Sequence, residues 1–376
     1  MITNPLLYLF TLAFVATFFY VLESRLKLGL FKFVPSIVMV YAFVMLLASL
    51  GTFEYNKEIN AIYKLTKTNL LPAMIFLMLL QVDLRLFFKL GRKLIISYVL
   101  AVLSLGVSFI LVAFAFDFDT QSSSAFGALC GSWMGGTANM VAVGSALGVS
   151  DTAFGYALIV DSFNYTLWVA LLLFLVPFAN IFNRFVGAKS VDAVANEIGC
   201  ACTLGTKRYW SLILLSLLVS LFSQVIATKI AFINTTTTMV IMATLFGVLG
   251  SFSRLKELGG SSEVANSMLF MLIALIGSKA VFESFSGVGF YVLAGFVILL
   301  LHATLMIGGA KIFKLDLFSI SVASLSNIGG IASAPILAAT YNKSLVSIGV
   351  MMAIMGYIIG TFGGLLVGNI LVWMHG

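Results

Sequence analysis

Apolar residues run through the chain in long blocks separated by short polar stretches, a spacing that predicts helices and no strands. Twelve blocks stand out, at 5–22, 33–51, 69–82, 94–116, 124–147, 152–182, 209–229, 234–252, 266–282, 288–312, 318–340 and 344–373. Most exceed the ~17 residues that a helix needs to cross the hydrocarbon of a bilayer. The longest polar interval, 183–208, carries Arg184, Lys189, Asp192, Glu197, Lys207 and Arg208. It reads as a cytoplasmic linker between two membrane halves, 1–182 and 209–376.

One apolar block is unlike the rest. Gly131–Val143 reads GSWMGGTANMVAV and places Ser132, Gly135, Gly136, Thr137 and Asn139 within a few turns. Lipid-facing helices have no use for such a run, whereas paired glycines weaken a helix and admit close backbone approach. A second copy, SNIGGIAS, lies 194 residues on and lays Ser326 on Ser132, Gly329 and Gly330 on Gly135 and Gly136, and Ser333 on Asn139. Asn327 stands beside the second pair. Glycine-interrupted segments at matching places in two halves are the sequence mark of a transporter's binding site. The competing reading is that these glycines only let helices pack.

Lys and Arg give orientation. The loops with Arg25, Lys27 and Lys32 and with Arg85, Lys89, Arg92 and Lys93 share one side, leaving Asp117 and Asp119 opposite; the linker and the loops with Arg254, Lys256, Lys311 and Lys314 also share a side. Both groups are expected to be cytoplasmic. Twelve single crossings cannot satisfy that, because three separate Arg92 from the linker. The run 152–182 is long enough to absorb a partial extra pass, which would make the two glycine motifs run in opposite directions. The expected fold is an all-α polytopic membrane protein of about 10–13 membrane segments, an inverted repeat with two discontinuous crossing helices.

Composition sharpens this: 61% of the 376 residues are hydrophobic and 9% charged, with a net charge of +7. A soluble domain is excluded, and the positive charge belongs to cytoplasmic loops and not to nucleic acid. Three cysteines and two histidines have no metal-ligand spacing. The first apolar block lacks a basic leader and a cleavage site, so it is expected to be a retained span.

Asp161 is the most informative charged residue, placed deep in an apolar run with Asn164 and Tyr165 on the same helical face. It could bind a cation, carry a proton, or anchor hydrogen bonds. Thr137, Asn139 and Asp161 offer oxygen ligands for Na⁺. Asp83 reads as a boundary residue paired with arginine, and Gln81 as a residue within reach of a cavity. His302 is open to proton relay or to a structural hydrogen bond, and Thr235–Thr238 reads as a helix start with its own cap.

GSWMGGTANMVAV with LIVDSFNYTLW, LLPAMIFLMLLQVDLR, SNIGGIASAPILAA and GYIIGTFGG resembles the YjcL-like family of uncharacterised bacterial integral membrane proteins, over about Leu70 to Gly368. That family is distantly similar to cation/proton antiporters and sodium/bile acid symporters, which implies inverted repeats and a bacterial plasma membrane location. One departure is Gly277-Ser278-Lys279, which has no acidic residue to match Asp83.

The expected function is ion-coupled secondary transport of a small, anionic organic solute, alternating access around the two breaks. Na⁺ or H⁺ would drive it, with no other cofactor. A passive channel and a cation/proton antiporter are the alternatives. An intramembrane enzyme is not expected, since paired acids and a Ser-His arrangement are missing. The bilayer is the expected surrounding, and a homodimer through the first spans of each half would suit a scaffold.

Overall fold

The structure, a computed structural model, describes residues 1–26, 36–80, 90–188, 205–230, 234–253, 255, 259–280, 287–342 and 345–375. Gln81, Asp83, most of the linker, and the loop cations Lys27, Lys32, Arg85, Lys89, Arg254 and Lys256 lie outside those residues.

Among the described residues the chain is helical. The first half holds α1 (Pro5–Leu26), α2 (Ser36–Ser49), α3 (Lys57–Leu79), α4 (Arg92–Ala115), α5 (Thr120–Gly135), α6 (Thr137–Leu147), α7 (Asp151–Leu175) and the short α8 (Ala179–Val186). The second holds α9 (Thr206–Lys229), α10 (Thr235–Ser251), α11 (Ser261–Lys279), α12 (Val288–Phe313), α13 (Leu317–Ile328), α14 (Gly330–Tyr341) and α15 (Val346–His375). Shifted by 194 residues, α1 to α7 overlay α9 to α15 in order, and α8 has no counterpart. Seven helical stretches are long and apolar enough to cross a membrane, with shorter apolar helices between them, as a multi-pass membrane protein requires.

Local chemistry explains several boundaries. Asn56 caps α3 by accepting from the amide of Ile59, so the helix begins about three turns before its apolar run, in polar sequence that hydropathy passes over. Asn234, and not the threonines after it, caps α10 by accepting from the amide of Thr237 at 2.7 Å. Asp119 and Asp316 cap α5 and α13. Pro177 lies in a tight 3₁₀ turn at Val176–Phe178, which ends α7 and redirects the chain into α8.

The chain forms two compact units, each drawn from both halves. The first comprises 1–81, 144–162 and 201–289, and the second 82–143, 163–200 and 290–376. In the first unit, α3 packs with α9, α10 and α11, and α11 with α1 and α2. Polar groups gather at one end of it. Tyr8 Oη meets Ser278 Oγ at 2.5 Å, Tyr55 donates to the Ser278 carbonyl, and the Lys279 ammonium stands 4.0 Å above the Tyr55 ring. Burial raises the Tyr55 hydroxyl to about 12, so it stays a donor at neutral pH. Asp151 accepts from Tyr63 at 3.2 Å and faces Lys67 at 3.9 Å.

In the second unit, α4 and α12 are antiparallel. Leu100 lies against Gly309, Ser104 meets His302, and Phe116 reaches Phe290. Arg92 at the start of α4 therefore shares a side with Lys311 at the end of α12. The start of the linker joins them, because Lys311 donates to the Phe185 carbonyl and Asn183 accepts from the amide of Leu317 at 2.9 Å.

The two glycine motifs depart from the sequence reading here. A helix continuing across the membrane would put Gly131 and Val143 far apart. Instead a β-carbon on Gly131 would lie 2.9 Å from Val143 Cγ2 and 3.1 Å from the Asn139 carbonyl. In the second copy the rings of Phe318 and Tyr341 meet at 5.4 Å, although 23 residues separate them in sequence. The pairs α5–α6 and α13–α14 are thus helical hairpins that turn back at their glycines, and not discontinuous helices that cross. They are rooted at opposite ends of α12. Ser122 and Phe126 of α5 contact Tyr291 at its start, while Leu317 of α13 follows shortly after its end.

Candidate functional site

Both hairpin tips use their glycine pair in the same way. The second glycine carries the turn: Gly136 has φ 90° and Gly330 φ 58°, a backbone region that other residues enter at a cost. Neither has any atom where a β-carbon would point. The first glycine carries the packing. A β-carbon on Gly135 would run into the Gly356 carbonyl and Asn139 Nδ2, and one on Gly329 into Ser333 Oγ and, at 2.6 Å, Tyr165 Cε2. In both tips the polar side chain four residues after the first glycine folds back over it. That contact is the physical content of the paired motif.

The first tip is closed by α15. Gly356, Gly360 and Gly364 form a strip with four-residue spacing against Gly131 and Gly135 of α5. A β-carbon on Gly360 would stand 2.6 Å from Gly135 Cα, and one on Gly364 at 2.6 Å from Gly131 Cα, so the two backbones touch. Asn139 locks the seam. Its Nδ2 donates to Gly135 O at 2.8 Å and Gly356 O at 3.4 Å, and its Oδ1 accepts from Thr361 at 2.5 Å. The carbonyl that the turn frees at Gly135 is thus capped by the asparagine, whose amide oxygen is taken by Thr361. Ser132 is buried beside this seam and Thr137 is half-buried just after the turn.

The second tip is built alike but left electrostatically open. Ser326 and Asn327 are fully buried and Ser333 nearly so. The Oγ atoms of Ser326 and Ser333 and the Oδ1 of Asn327 have no hydrogen-bond partner among the described residues. Asn327 Nδ2 donates to Ala323 O at 2.8 Å within its own helix. On α7, Asn164 repeats the pattern: Nδ2 donates to Val292 O at 3.2 Å while the buried Oδ1 has no partner among the described residues. Buried oxygens left without donors cost free energy, and a bound cation or a donor on a ligand relieves that cost. The carbonyl end of α13 and the amide end of α14 meet at this tip, offering both signs of helix-end partial charge.

Of the sequence candidates, Ser132, Gly135, Gly136, Thr137, Asn139, Asn164, Tyr165, Ser326, Asn327, Gly329, Gly330 and Ser333 all fall in the second unit. Tyr165 sits against the second tip. Asp161 is half-buried and belongs to the first unit, although continuous α7 carries it on the same face as Asn164 and Tyr165.

Sequence reasoning did not assemble a buried chain next to the second hairpin. Trp168 Nε1 donates to Ser324 Oγ at 3.0 Å, Ser324 meets His302 Nε2 at 2.8 Å, and His302 Nδ1 meets Ser104 Oγ at 2.7 Å. Ser104 donates on to Ala101 O. Assigning protons along this chain makes Nδ1 the protonated nitrogen of a neutral His302, since Ser104 has already given its proton away. The only sequence signal was four polar residues scattered over four apolar helices. Thr361 and the glycine strip were visible as GYIIGTFGG, but their partner was not.

No curated protein matches this chain. A family model covers residues 10–374, nearly the whole length. With both hairpins and all of the candidate residues inside that match, the chain belongs to the family described as "Protein of unknown function (DUF819)".

Proposed function

We propose that the chain is an ion-coupled secondary active transporter of a small anionic organic solute in the bacterial plasma membrane. The observation that carries this reading is the duplicated hairpin break, with Gly136 and Gly330 at positive φ in equivalent positions, one tip retaining buried oxygens without partners. Irregular backbone at membrane depth is tolerated where it lines a site, and duplicated breaks suit a carrier that opens to each side in turn. An inverted repeat is supported by the matched order of helices, by antiparallel α4 and α12, and by hairpins rooted at opposite ends of α12. Turning back at the first motif also removes the extra crossing between Arg92 and the linker, which the loop charges required.

Sodium is the driving ion in this reading. Thr137, Asn139 and Asp161 as one ligand set would draw on both units and on an amide oxygen that Thr361 already occupies. The partnerless oxygens of Ser326, Asn327, Ser333 and Asn164 suit a hard cation better. Asp161 keeps its own role as the embedded acid whose charge the coupling needs. The resemblance to sodium/bile acid symporters agrees with this assignment.

The test is uptake into proteoliposomes under an imposed sodium or proton gradient, with a panel of radiolabelled mono- and dicarboxylates. Saturable accumulation driven by sodium, lost in Asp161→Asn and Asn327→Ala, is expected. Accumulation by Asp161→Asn equal to wild type would make that carboxylate a structural anchor. Steady, non-saturating conductance would make the protein a channel.

A further inference from the structure

We propose that the second unit holds an anionic phospholipid, with one acyl chain in an apolar slot beside the second hairpin and the phosphate on a basic rim. The slot has a volume of about 420 Å³ and lies among the end of α7, α8, α12 and α13. Trp168, Leu172, Phe182, Met306, Ile320 and Ser321 are among its lining residues, and they offer almost nothing polar to an occupant. Its outer lip, with Phe178 and Ile181, is exposed. An apolar surface of this kind at the side of a membrane protein meets acyl chains and not water.

The charge at the mouth selects among lipids. After the Pro177 turn and its exposed Phe178, α8 is short and amphipathic, with Ile181 and Phe185 exposed and apolar and Arg184 beside them. This is the form of a helix lying in the interface. Lys311 reaches the same place from α12, its ammonium 4.6 Å from the Phe185 ring centroid and bonded to the Phe185 carbonyl. Lys314 follows within a turn and is exposed, as are Lys311 and Arg184. The nearest acid in sequence, Asp316, does not offset them at the mouth. It is buried, and its carboxylate accepts from the Ser319 hydroxyl at 2.6 Å as the cap of α13. Lys311 at the rim of an acyl-sized slot, with exposed Arg184 and Lys314 close by in the chain, complements a phosphodiester headgroup with net negative charge and gives no advantage to a zwitterionic one.

Trp168 supplies the readout, because it lies in the slot wall and bromine on a lipid tail quenches indole fluorescence by contact. The full-length protein is reconstituted with increasing fractions of brominated phosphatidylglycerol or brominated phosphatidylcholine, and the Trp168 signal is taken as the difference from Trp168→Phe. Quenching by phosphatidylglycerol is expected at much lower mole fraction, with the preference falling about fivefold for each cation removed among Arg184→Ala, Lys311→Ala and Lys314→Ala. Ala303→Phe, which fills the slot while leaving Trp168 in place, should abolish quenching by both lipids. Equal curves for the two lipids, no Trp168 quenching by either, or a preference that survives the triple substitution would each overturn the proposal. Because this readout involves neither solute nor gradient, its outcome is separate from that of the transport assay.

Discussion

Asn139 and Ser333 hold the same position in two hairpins, each folded back over the first glycine of its tip, and they end in opposite conditions. Asn139 has its amide nitrogen and oxygen both engaged, and the backbone around it touches α15 through a strip of glycines. Ser333 has a hydroxyl with no partner, and across its glycine stands the ring of Tyr165 in place of another backbone. Equivalent local geometry therefore serves unlike ends. Where glycine meets glycine, close approach and capping spend both polar atoms of Asn139 on the fold. Where an aromatic ring faces the first glycine, oxygens are left for something else.

Breaking the first tip should have the largest effect. Gly135→Leu forces a side chain into the Gly356 backbone, and overpacking of about 1–3 kcal/mol or more at a seam of rigid backbones should abolish folded protein. Gel filtration after detergent extraction would show it as lost monodisperse yield. Gly329→Leu meets the side chains of Ser333 and Tyr165, which can rotate, so it should give folded protein at lower yield. Equal yields for the two leucine variants would mean that the tips are packed alike.

A smaller contrast is expected between the polar residues. Asn139→Ala takes the side-chain donor from the Gly135 carbonyl and leaves Thr361 only its long 3.5 Å bond to the Tyr357 carbonyl, and should cost about 1–3 kcal/mol, read as a lowered melting temperature. Ser333→Ala removes an oxygen that bonds to nothing and should melt at or slightly above the wild-type temperature. It should also lose any stabilisation by added sodium. A sodium-dependent rise in melting temperature that persists in Ser333→Ala and disappears in Asn139→Ala would reverse the assignment of the two tips.

The smallest difference should come from the turn glycines. Gly136→Ala and Gly330→Ala both place a β-carbon in open space at positive φ, so each should lower the melting temperature through backbone strain of about 1–3 kcal/mol. A large gap between them would show that one tip relaxes and the other does not.

Much of this was legible in the sequence. The 194-residue offset, the glycine pairs and the polar residue after each were visible as letters, and the loop cations gave the sidedness on which the α4–α12 contacts agree. What could not be read was the direction of the chain after each break. A Gly-Gly pair loosens a helix equally whether the next turn continues or reverses, and only contacts twelve or more residues apart, such as Gly131 with Val143, separate the cases. The sealing of Asn139 was hidden for the same reason, since its partners Gly356 and Thr361 lie more than 200 residues away in α15. The polar start of α3 was missed because hydropathy weighs apolar length and not capping.

The chain from Trp168 to Ala101 has a further consequence, as a wire for protons. It begins at an indole N–H, which has no lone pair to receive a proton, and ends at a backbone carbonyl, which has none to release. Every hydrogen bond between points the same way, from Trp168 through Ser324 and His302 to Ser104. A proton reaching His302 would first have to turn the Ser324 hydroxyl away, with no second acceptor offered by the chain. His302, buried in this unit, is thereby wired as a dead end, and a proton-driven version of the proposed carrier would have to run its current through some other residue.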